Sequence, residues 1–156
     1  MIHVRPATWD DAKWVGDHLR DEDEDEVQVV SGLPGAIRVP QAFNLSLMTF
    51  AAFPQGEDEP VALFGVSADE DNPGWGLVWL LATPEVRRVA KSVLKEAPRW
   101  IEFFEGFCPE GLHNLAAAWN HLHLRWTDAC GFTRGDIVDV NDRPFVHIYR
   151  RRPPYV

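Results

Sequence analysis

The chain has 156 residues, enough for one domain with a hydrophobic core over residues 1–156, and its 46% apolar and 25% charged residues are typical of a folded globular protein. Acidic residues outnumber basic ones by 24 to 15, and the net charge of −9 disfavours binding to nucleic acid or to an anionic membrane. The longest uncharged apolar run, residues 75–82, is too short to span a bilayer, so we expect an intracellular protein. The two cysteines fit neither a disulfide framework nor a zinc motif, and we predict no metal site.

The first third of the chain predicts a strand, two helices and an acidic segment. Residues 2–5 alternate between apolar and polar side chains, and apolar spacing predicts an amphipathic helix over 9–20. Six consecutive acids follow at 21–26, and their mutual repulsion predicts an exposed segment. The glycines and prolines of 31–40 predict a loop, and a short helix is expected over 41–47.

The middle of the chain predicts a hairpin, a buried strand and a long helix. The hairpin strands are expected at 48–53 and 61–67. The continuous apolar run 76–82 is typical of a central strand that is buried on both faces. Helical spacing of apolar residues then continues from about 85 to 105, and Pro98 predicts a kink or a restart in that helix.

The last part of the chain predicts a strand, a helix and a second hairpin. The strand is expected at 111–118, and the helix that follows begins at Asn120 and ends at Gly131. The second hairpin uses strands 137–140 and 145–149. The order β-α-α-β-β-β-α-β-α-β-β predicts the α/β class, as one mixed sheet with helices on both faces.

This order resembles the GNAT fold of the Gcn5-related N-acetyltransferases. Two stretches carry the resemblance. Ala82 to Ser92 lies where the family has its Gln/Arg-x-x-Gly-x-Gly/Ala phosphate-binding loop, and Asn120 to Phe132 lies where it has an asparagine helix that ends in Gly-Phe. The resemblance implies a GNAT-like fold and an acyl-CoA-dependent N-acetyltransferase that uses acetyl-CoA.

A narrower resemblance is to the GNAT-like proteins of short-tailed bacteriophages, which include a small internal virion protein. Five blocks carry it: Arg5 to Thr8 with Asp11 and Ala12; Leu19 and Arg20 with Asp23 and Glu26; Pro60 to Val66; Trp79 to Thr83 with Arg99 and Trp100; and Asn114 and Asn120 with Arg125, Trp126, Gly131 and Phe132. This resemblance implies location in the host cytoplasm or the virion, with phage proteins as partners. It also implies two alternatives to catalysis, namely a non-catalytic virion or interaction protein and a domain that holds CoA without turnover.

The family resemblance implies a cofactor site in three parts. The phosphate loop is expected to use Arg87, Arg88, Ala90, Lys91 and Ser92, the strand edge to use Leu80, Leu81 and Ala82, and Asn120 to face the same groove. Alanine and serine at the two glycine positions carry a Cβ that impairs close approach of a phosphate, and the basic side chains would compensate by charge. A basic first turn of a surface helix explains the same residues, and Asn120 is also a good N-cap.

Candidate catalytic residues are fewer. Asp23 and Glu26 match the acidic pair of the phage proteins and are expected to include the general base, whereas the alternative is a solvated acidic loop. The position of the family's tyrosine is occupied by Thr127, whose hydroxyl is too weak an acid. Water or Tyr149 would then protonate the leaving thiolate.

The segment 150–155, Arg-Arg-Arg-Pro-Pro-Tyr, predicts an extended docking arm for an acidic partner. The alternative is a solubilising strand end that contacts nothing.

Overall fold

Seven strands form one sheet in the order β1-β2-β3-β4-β5-β7-β6. The computed structural model describes residues 1–151. Every neighbouring pair of strands is antiparallel except β4 and β5, which run parallel. The strands are β1 Ile2–Pro6, β2 Met48–Pro54, β3 Ala62–Ala68, β4 Trp75–Ala82, β5 Gly111–Ala117, β6 Thr133–Val140 and β7 Arg143–Arg151. The predicted α/β class with one mixed sheet is confirmed.

Helices cover both faces of this sheet. Within residues 1–151 they are α1 Trp9–Asp17, α2 Asp21–Ser31, α3 Gly35–Leu45, a short 3-10 helix Pro84–Arg88, α4 Ala90–Glu105 and α5 His121–Ala129. Along β4, Val78 and Leu80 join the core beneath α4 and α5, whereas Leu81 joins the core beneath α1 and α3. None of the helices in this part of the chain is both long enough and apolar enough to cross a membrane.

Strands β4 and β5 pair along only part of their length. Their register covers Trp75 with Gly111, Gly76 with Leu112 and Leu77 with His113, and it stops there. Beyond this register, β4 (78–82) and β5 (114–117) form no ladder with each other, and the side-chain amide of Asn114 donates to the Val78 carbonyl oxygen at 2.9 Å. We call this wedge the β4–β5 split, and it determines the geometry of the candidate site.

The acidic segment 21–26 is not an exposed loop, and that prediction is wrong. It forms the first turns of α2, which ends at Gly32 in the left-handed conformation (φ 72°). Acidic side chains in a first helical turn interact favourably with the helix dipole, which offsets part of their mutual repulsion. Two of these acids, Asp23 and Glu26, are buried.

The predicted loop at 31–40 is also wrong, because α3 begins at Gly35 and contains Pro40. Pro34 at the N-cap supplies no side-chain hydrogen bond. Instead, the backbone N–H of Gly35 donates to Oε2 of Glu24 in α2 at 2.8 Å. A partner on another helix thus caps α3. The chain therefore has three helices between β1 and β2 instead of the two expected.

The structure also corrects the predictions for Pro98 in α4 and for the C-terminal arginines. Helix α4 continues from Ala90 to Glu105 with Pro98 inside it, so the helix does not restart there. A proline removes only one N–H donor, and the apolar face of α4 is buried on both sides of it. Arg150 and Arg151 belong to β7 and not to an arm, and residues 152–156 lie outside the described part of the chain.

Candidate functional site

An open pocket of about 340 Å³ lies where β4 leads through the 3-10 helix into α4. Its basic side chains come from three places: Arg20 before α2, Arg87 in the 3-10 helix and Arg125 in α5. The remaining lining residues are Asp21, Glu22, Pro84, Val86, Ala90 and Leu122. We call this the arginine pocket. Guanidinium groups that converge on one pocket are suited to bind phosphate.

The structure brings only part of the predicted phosphate loop to the arginine pocket. Arg87 and Ala90 line it. Arg88 instead forms ion pairs with Glu57 at 2.8 Å and Glu85 at 2.7 Å on the exposed surface. Lys91 and Ser92 are not among its lining residues.

Two arginines of this pocket, Arg20 and Arg125, were not assigned to the site from the sequence. Arg125 lies five residues after Asn120 on α5, and Arg20 directly precedes α2. Each occurs in a block that resembles the phage proteins, but the resemblance implied no role for either. Only the packing of three separate elements brings these side chains to Arg87.

Beside the pocket, residues before and within α2 close the outer end of the β4–β5 split. Asp23 Oδ2 accepts the backbone N–H of Ala82 at 2.9 Å, and the backbone N–H of Arg20 donates to the Ala82 carbonyl oxygen at 2.9 Å. Both polar groups of Ala82 are therefore occupied. Leu80, Leu81 and Ala82, the predicted strand edge, are all buried.

Glu26 and Asn120 continue this closure across the split. Glu26 Oε1 accepts the backbone N–H of Ala117 on β5 at 2.7 Å. The amide nitrogen of Asn120 donates to Asp23 Oδ1 at 2.6 Å and to Glu26 Oε2 at 2.9 Å. We call Arg20, Asp23, Glu26 and Asn120 the carboxylate bridge, because they join the ends of β4 and β5 that do not pair with each other.

The charges of the carboxylate bridge are matched inside the protein. Burial raises the pKa of Asp23, and the Arg20 guanidinium, whose Nε lies 2.9 Å from Asp23 Oδ2, opposes that rise. Burial also acts to raise the pKa of Glu26, but His123 and the hydrogen bonds to Glu26 outweigh it and lower that pKa. His123 Nδ1 lies 3.5 Å from Glu26 Oε2, and this carboxylate raises the pKa of His123 although burial acts to lower it.

The predicted catalytic role of Asp23 and Glu26 does not match this placement. A general base must reach the proton that it removes. Asp23 is 2% exposed and Glu26 is 7% exposed, and both accept hydrogen bonds from buried backbone N–H groups. Asn120 caps α5 as expected, accepting the His123 N–H, but it is fully buried in the bridge and does not face an open groove.

Tyr149 lies far from the closed end of the split. It pairs with His113 near the start of β5, whereas Phe145 pairs with Ala117 at the other end. Four residues of strand separate these positions by about 13 Å. Thr127, at the position of the family's tyrosine, is buried and donates its hydroxyl to the Leu124 carbonyl oxygen at 2.9 Å.

A second polar cluster lies at the inner end of the split, and the sequence did not predict it. His113 Nε2 lies 2.6 Å from Asp69 Oδ2, and His113 Nδ1 lies 3.0 Å from His147 Nε2. His113 is 44 positions from Asp69 and 34 positions from His147 in the chain. Helical or strand periodicity gives no sign of such a contact, which arises from strand pairing and from the loop after β3.

No family model and no curated protein matches the sequence, but solved structures match the fold. Aminoglycoside 6'-acetyltransferase type Ii has a TM-score of 0.71 and 16% identity, with 99% of each chain covered. AAC(6')-Ib with paromomycin and acetyl-CoA has a TM-score of 0.66 and 19% identity, covering 97% of this chain and 93% of that one. A GNAT acetyltransferase from Streptococcus pneumoniae has a TM-score of 0.63 and 13% identity, covering 97% and 99%. The predicted GNAT-like fold is confirmed.

Proposed function

We propose that the protein is an acyl-CoA-dependent N-acetyltransferase that uses acetyl-CoA as its cofactor. The observation that carries this proposal is the arginine pocket, which lies at the junction of β4, the 3-10 helix and α4 in a sheet of GNAT topology. The similar structures support it, because they are acetyltransferases and two of them contain acetyl-CoA or CoA. The cofactor supplies a thioester acyl group, and the acceptor is an amine.

The arginine pocket fits the phosphate end of CoA. Its volume of about 340 Å³ is within the usual size of a small-molecule site. Arg87 and Arg125 can each donate to phosphate oxygens through a planar fork of N–H groups, whereas Nε and Nη2 of Arg20 already donate to Asp23. The acids Asp21 and Glu22 also line the pocket, and Arg20 Nη1 lies 2.6 Å from Glu22 Oε2. A bound phosphate would compete with Glu22 for this guanidinium.

The strand edge fits the rest of the cofactor less well. A pantetheine arm requires free backbone groups on β4, and at Ala82 the backbone of Arg20 and the carboxylate of Asp23 already occupy them. The arm can use the backbone groups of Ala82 only if Arg20 and Asp23 move away from them. Use of this position therefore requires an opening of the carboxylate bridge.

Calorimetry with CoA tests the pocket. We expect the double variant Arg87→Ala, Arg125→Ala to bind CoA about a hundredfold more weakly than the parent chain, because it loses two charge-assisted phosphate contacts of about 1.5 kcal/mol each. Arg88→Ala is the matched control, since its guanidinium pairs with Glu57 and Glu85 outside the pocket. Equal affinity of the double variant and the control would contradict the proposed phosphate site.

The closed split supports a second candidate, a non-catalytic interaction protein that keeps the GNAT fold. The resemblance to phage proteins extends this candidate to a virion component that works with other phage proteins in the host cytoplasm or in the particle.

Release of free thiol from acetyl-CoA in the presence of a panel of amines separates the candidates. Turnover supports the enzyme, and CoA binding without turnover supports a cofactor-binding domain. The absence of both CoA binding and turnover supports the interaction protein. Mass spectrometry of purified particles then measures whether the protein is present in them.

A further inference from the structure

The side chains of Asp69, His113 and His147 form a linear chain of hydrogen bonds. Asp69, in the loop after β3, contacts Nε2 of His113 at 2.6 Å, and the other ring nitrogen of His113 contacts Nε2 of His147 at 3.0 Å. Asp69 is anchored by the amide of Asn72 at 2.9 Å and by the backbone N–H of Asp71 at 3.1 Å. These two hydrogen bonds fix the position of the Asp69 carboxylate relative to the His113 imidazole.

The carboxylate determines which ring nitrogens carry protons. Partial desolvation raises the pKa of Asp69, but hydrogen bonds from Asn72 and His113 outweigh it, so the pKa is lowered and the group is an ionised acceptor. In its neutral form, His113 then donates from Nε2, which leaves Nδ1 as an acceptor for the Nε2–H of His147. The remaining nitrogen, Nδ1 of His147, then carries a lone pair.

That nitrogen is accessible. Among residues 1–151, Nδ1 of His147 has no hydrogen-bond partner, and it is not one of the buried unpaired polar atoms. Burial and the neighbouring His113 lower the pKa of His147, while Asp136 of β6 acts in the opposite direction. The ring of Tyr149 stacks on His147 with a centroid distance of 5.6 Å. Neutral imidazole with an open nitrogen is the form that can accept a proton.

The chain of hydrogen bonds lies on the face of the sheet away from α4 and α5. Val146 and Ile148 of β7 point into the core beneath those helices, so His147, between them, points to the opposite face. On that opposite face, the buried core beneath α1 and α3 includes residues of β2, β3 and β4 but none of β5 to β7. His113 itself pairs with Leu77 at the last step before β4 and β5 separate.

We propose that His147 is the general base for the acceptor amine, with His113 and Asp69 as positioning residues that keep Nδ1 of His147 unprotonated. When the amine nitrogen bonds to the acyl carbon, the C–S bond of the thioester would break and its electron pair would leave on the thiolate of CoA. One N–H bond of the amine breaks, its electron pair stays on nitrogen, and the proton bonds to Nδ1 of His147. Asp69 and Asp136 place negative charge near this face, which suits a cationic acceptor. The Arg151 guanidinium already lies over the nearby Trp75 ring, 5.5 Å from its centroid. This assignment rests on the proposed function.

The first test needs no cofactor. Nitrogen-15 NMR of the imidazole rings at neutral pH is expected to show protons on Nε2 of both His113 and His147 and none on Nδ1 of His147. Asp69→Asn should shift the titration midpoint of His147 to lower pH, because the charge that stabilises the protonated chain is lost. Asp71→Asn in the same loop is the control and should leave that midpoint in place. A proton on Nδ1 of His147, or equal midpoints in both variants, overturns the assignment.

The second test is kinetic. His147→Gln should lower kcat for amine acetylation at least a hundredfold, the usual contribution of a positioned base, while CoA affinity stays unchanged. Asp69→Asn should shift the acid limb of the pH–rate profile to lower pH, and His3→Gln on β1 is the control. If the parent chain acetylates an amine and His147→Gln has the same kcat, the assignment of His147 is wrong and the proposed function stands. If the parent chain acetylates no amine, the proposed function fails and the catalytic role of His147 fails with it.

Discussion

At the scale of single residues, the most informative group is Asp23. Its two oxygens accept from the Arg20 guanidinium, the Asn120 amide and the Ala82 backbone N–H. An exposed acid would lose only repulsion if it were neutralised. A buried carboxylate paired with a largely buried guanidinium behaves in the opposite way, because removing one partner leaves the other charge uncompensated.

We therefore expect Asp23→Asn to destabilise the protein by about 3 kcal/mol, since it leaves the Arg20 charge without its buried partner. Asp25→Asn, at an exposed position of the same helix, is the matched control and should change stability by less than about 0.5 kcal/mol. Urea unfolding measures both variants. Equal stabilities would mean that Asp23 is solvated in solution.

His123 gives the carboxylate bridge a pH dependence. Its pKa in the folded chain is raised above the ordinary value of 6.5 by Glu26, although burial acts to lower it. A raised pKa contributes stability that is fully present below 6.5 and is lost as pH rises through the folded value. The free energy of unfolding of the parent chain should therefore fall, relative to His123→Gln, as pH increases from 6 to 9. If the free energies of unfolding of the parent chain and of His123→Gln differ by the same amount at every pH in this range, the Glu26–His123 pairing is contradicted.

At the scale of elements, the contact between α1 and α3 explains why a segment with a loop-like composition is helical. A Cβ on Gly16 of α1 would lie 2.7 Å from the Gly35 carbonyl oxygen and 3.1 Å from the Val39 Cβ. The two helices approach this closely only because residue 16 is glycine. Together with the cap from Glu24, this contact stabilises α3 in spite of Pro40.

Gly16→Ala should therefore destabilise the chain by about 1 kcal/mol or more, because the clash with backbone outweighs the better helix propensity of alanine. Thermal unfolding measures the change, and circular dichroism shows whether the helix content falls. A more stable variant would show that α1 and α3 separate at little cost.

At the scale of the whole molecule, Arg150 connects the sheet to the helices on one face. From β7 it pairs with Glu105 of α4 at 3.0 Å and donates to the Cys130 carbonyl oxygen after α5 at 2.6 Å. Glu105 is 6% exposed, and its other carboxylate oxygen has no partner within the described residues. Arg150 is thus part of the fold and is not available as a docking residue.

Arg150→Ala should destabilise the protein by about 3 kcal/mol, because Glu105 would remain buried without its counter-ion. Arg151→Ala is the matched control, since Arg151 is exposed and its guanidinium lies over the Trp75 ring at 5.5 Å, an interaction of about 0.5 kcal/mol. Chemical denaturation compares the two. If both variants lose the same stability, the Glu105 pair contributes nothing specific.

The sequence by itself determined the elements whose signal is local. The apolar run of β4, the amphipathic α4 and the β6–β7 hairpin follow from periodicity and turn residues, and their order predicted the α/β class. The GNAT-like fold was predicted from the resemblance of this order, and of the stretches 82–92 and 120–132, to that family. Arg87, which the resemblance assigns to the phosphate loop, lines the arginine pocket, and its role there stays a prediction.

Only the tertiary structure decided which polar residues meet. Asp23 and Ala82 are 59 positions apart, and Glu26 and Ala117 are 91 apart, so nothing near the acids in the chain indicates that they accept buried N–H groups. Arg87 and Arg88 are adjacent, yet Arg88 pairs with Glu57 and Glu85 outside the pocket, and Glu57 is 31 positions away in the chain. Periodicity encodes which face of an element is buried, whereas the partner of a buried charge depends on where remote elements bring their donors.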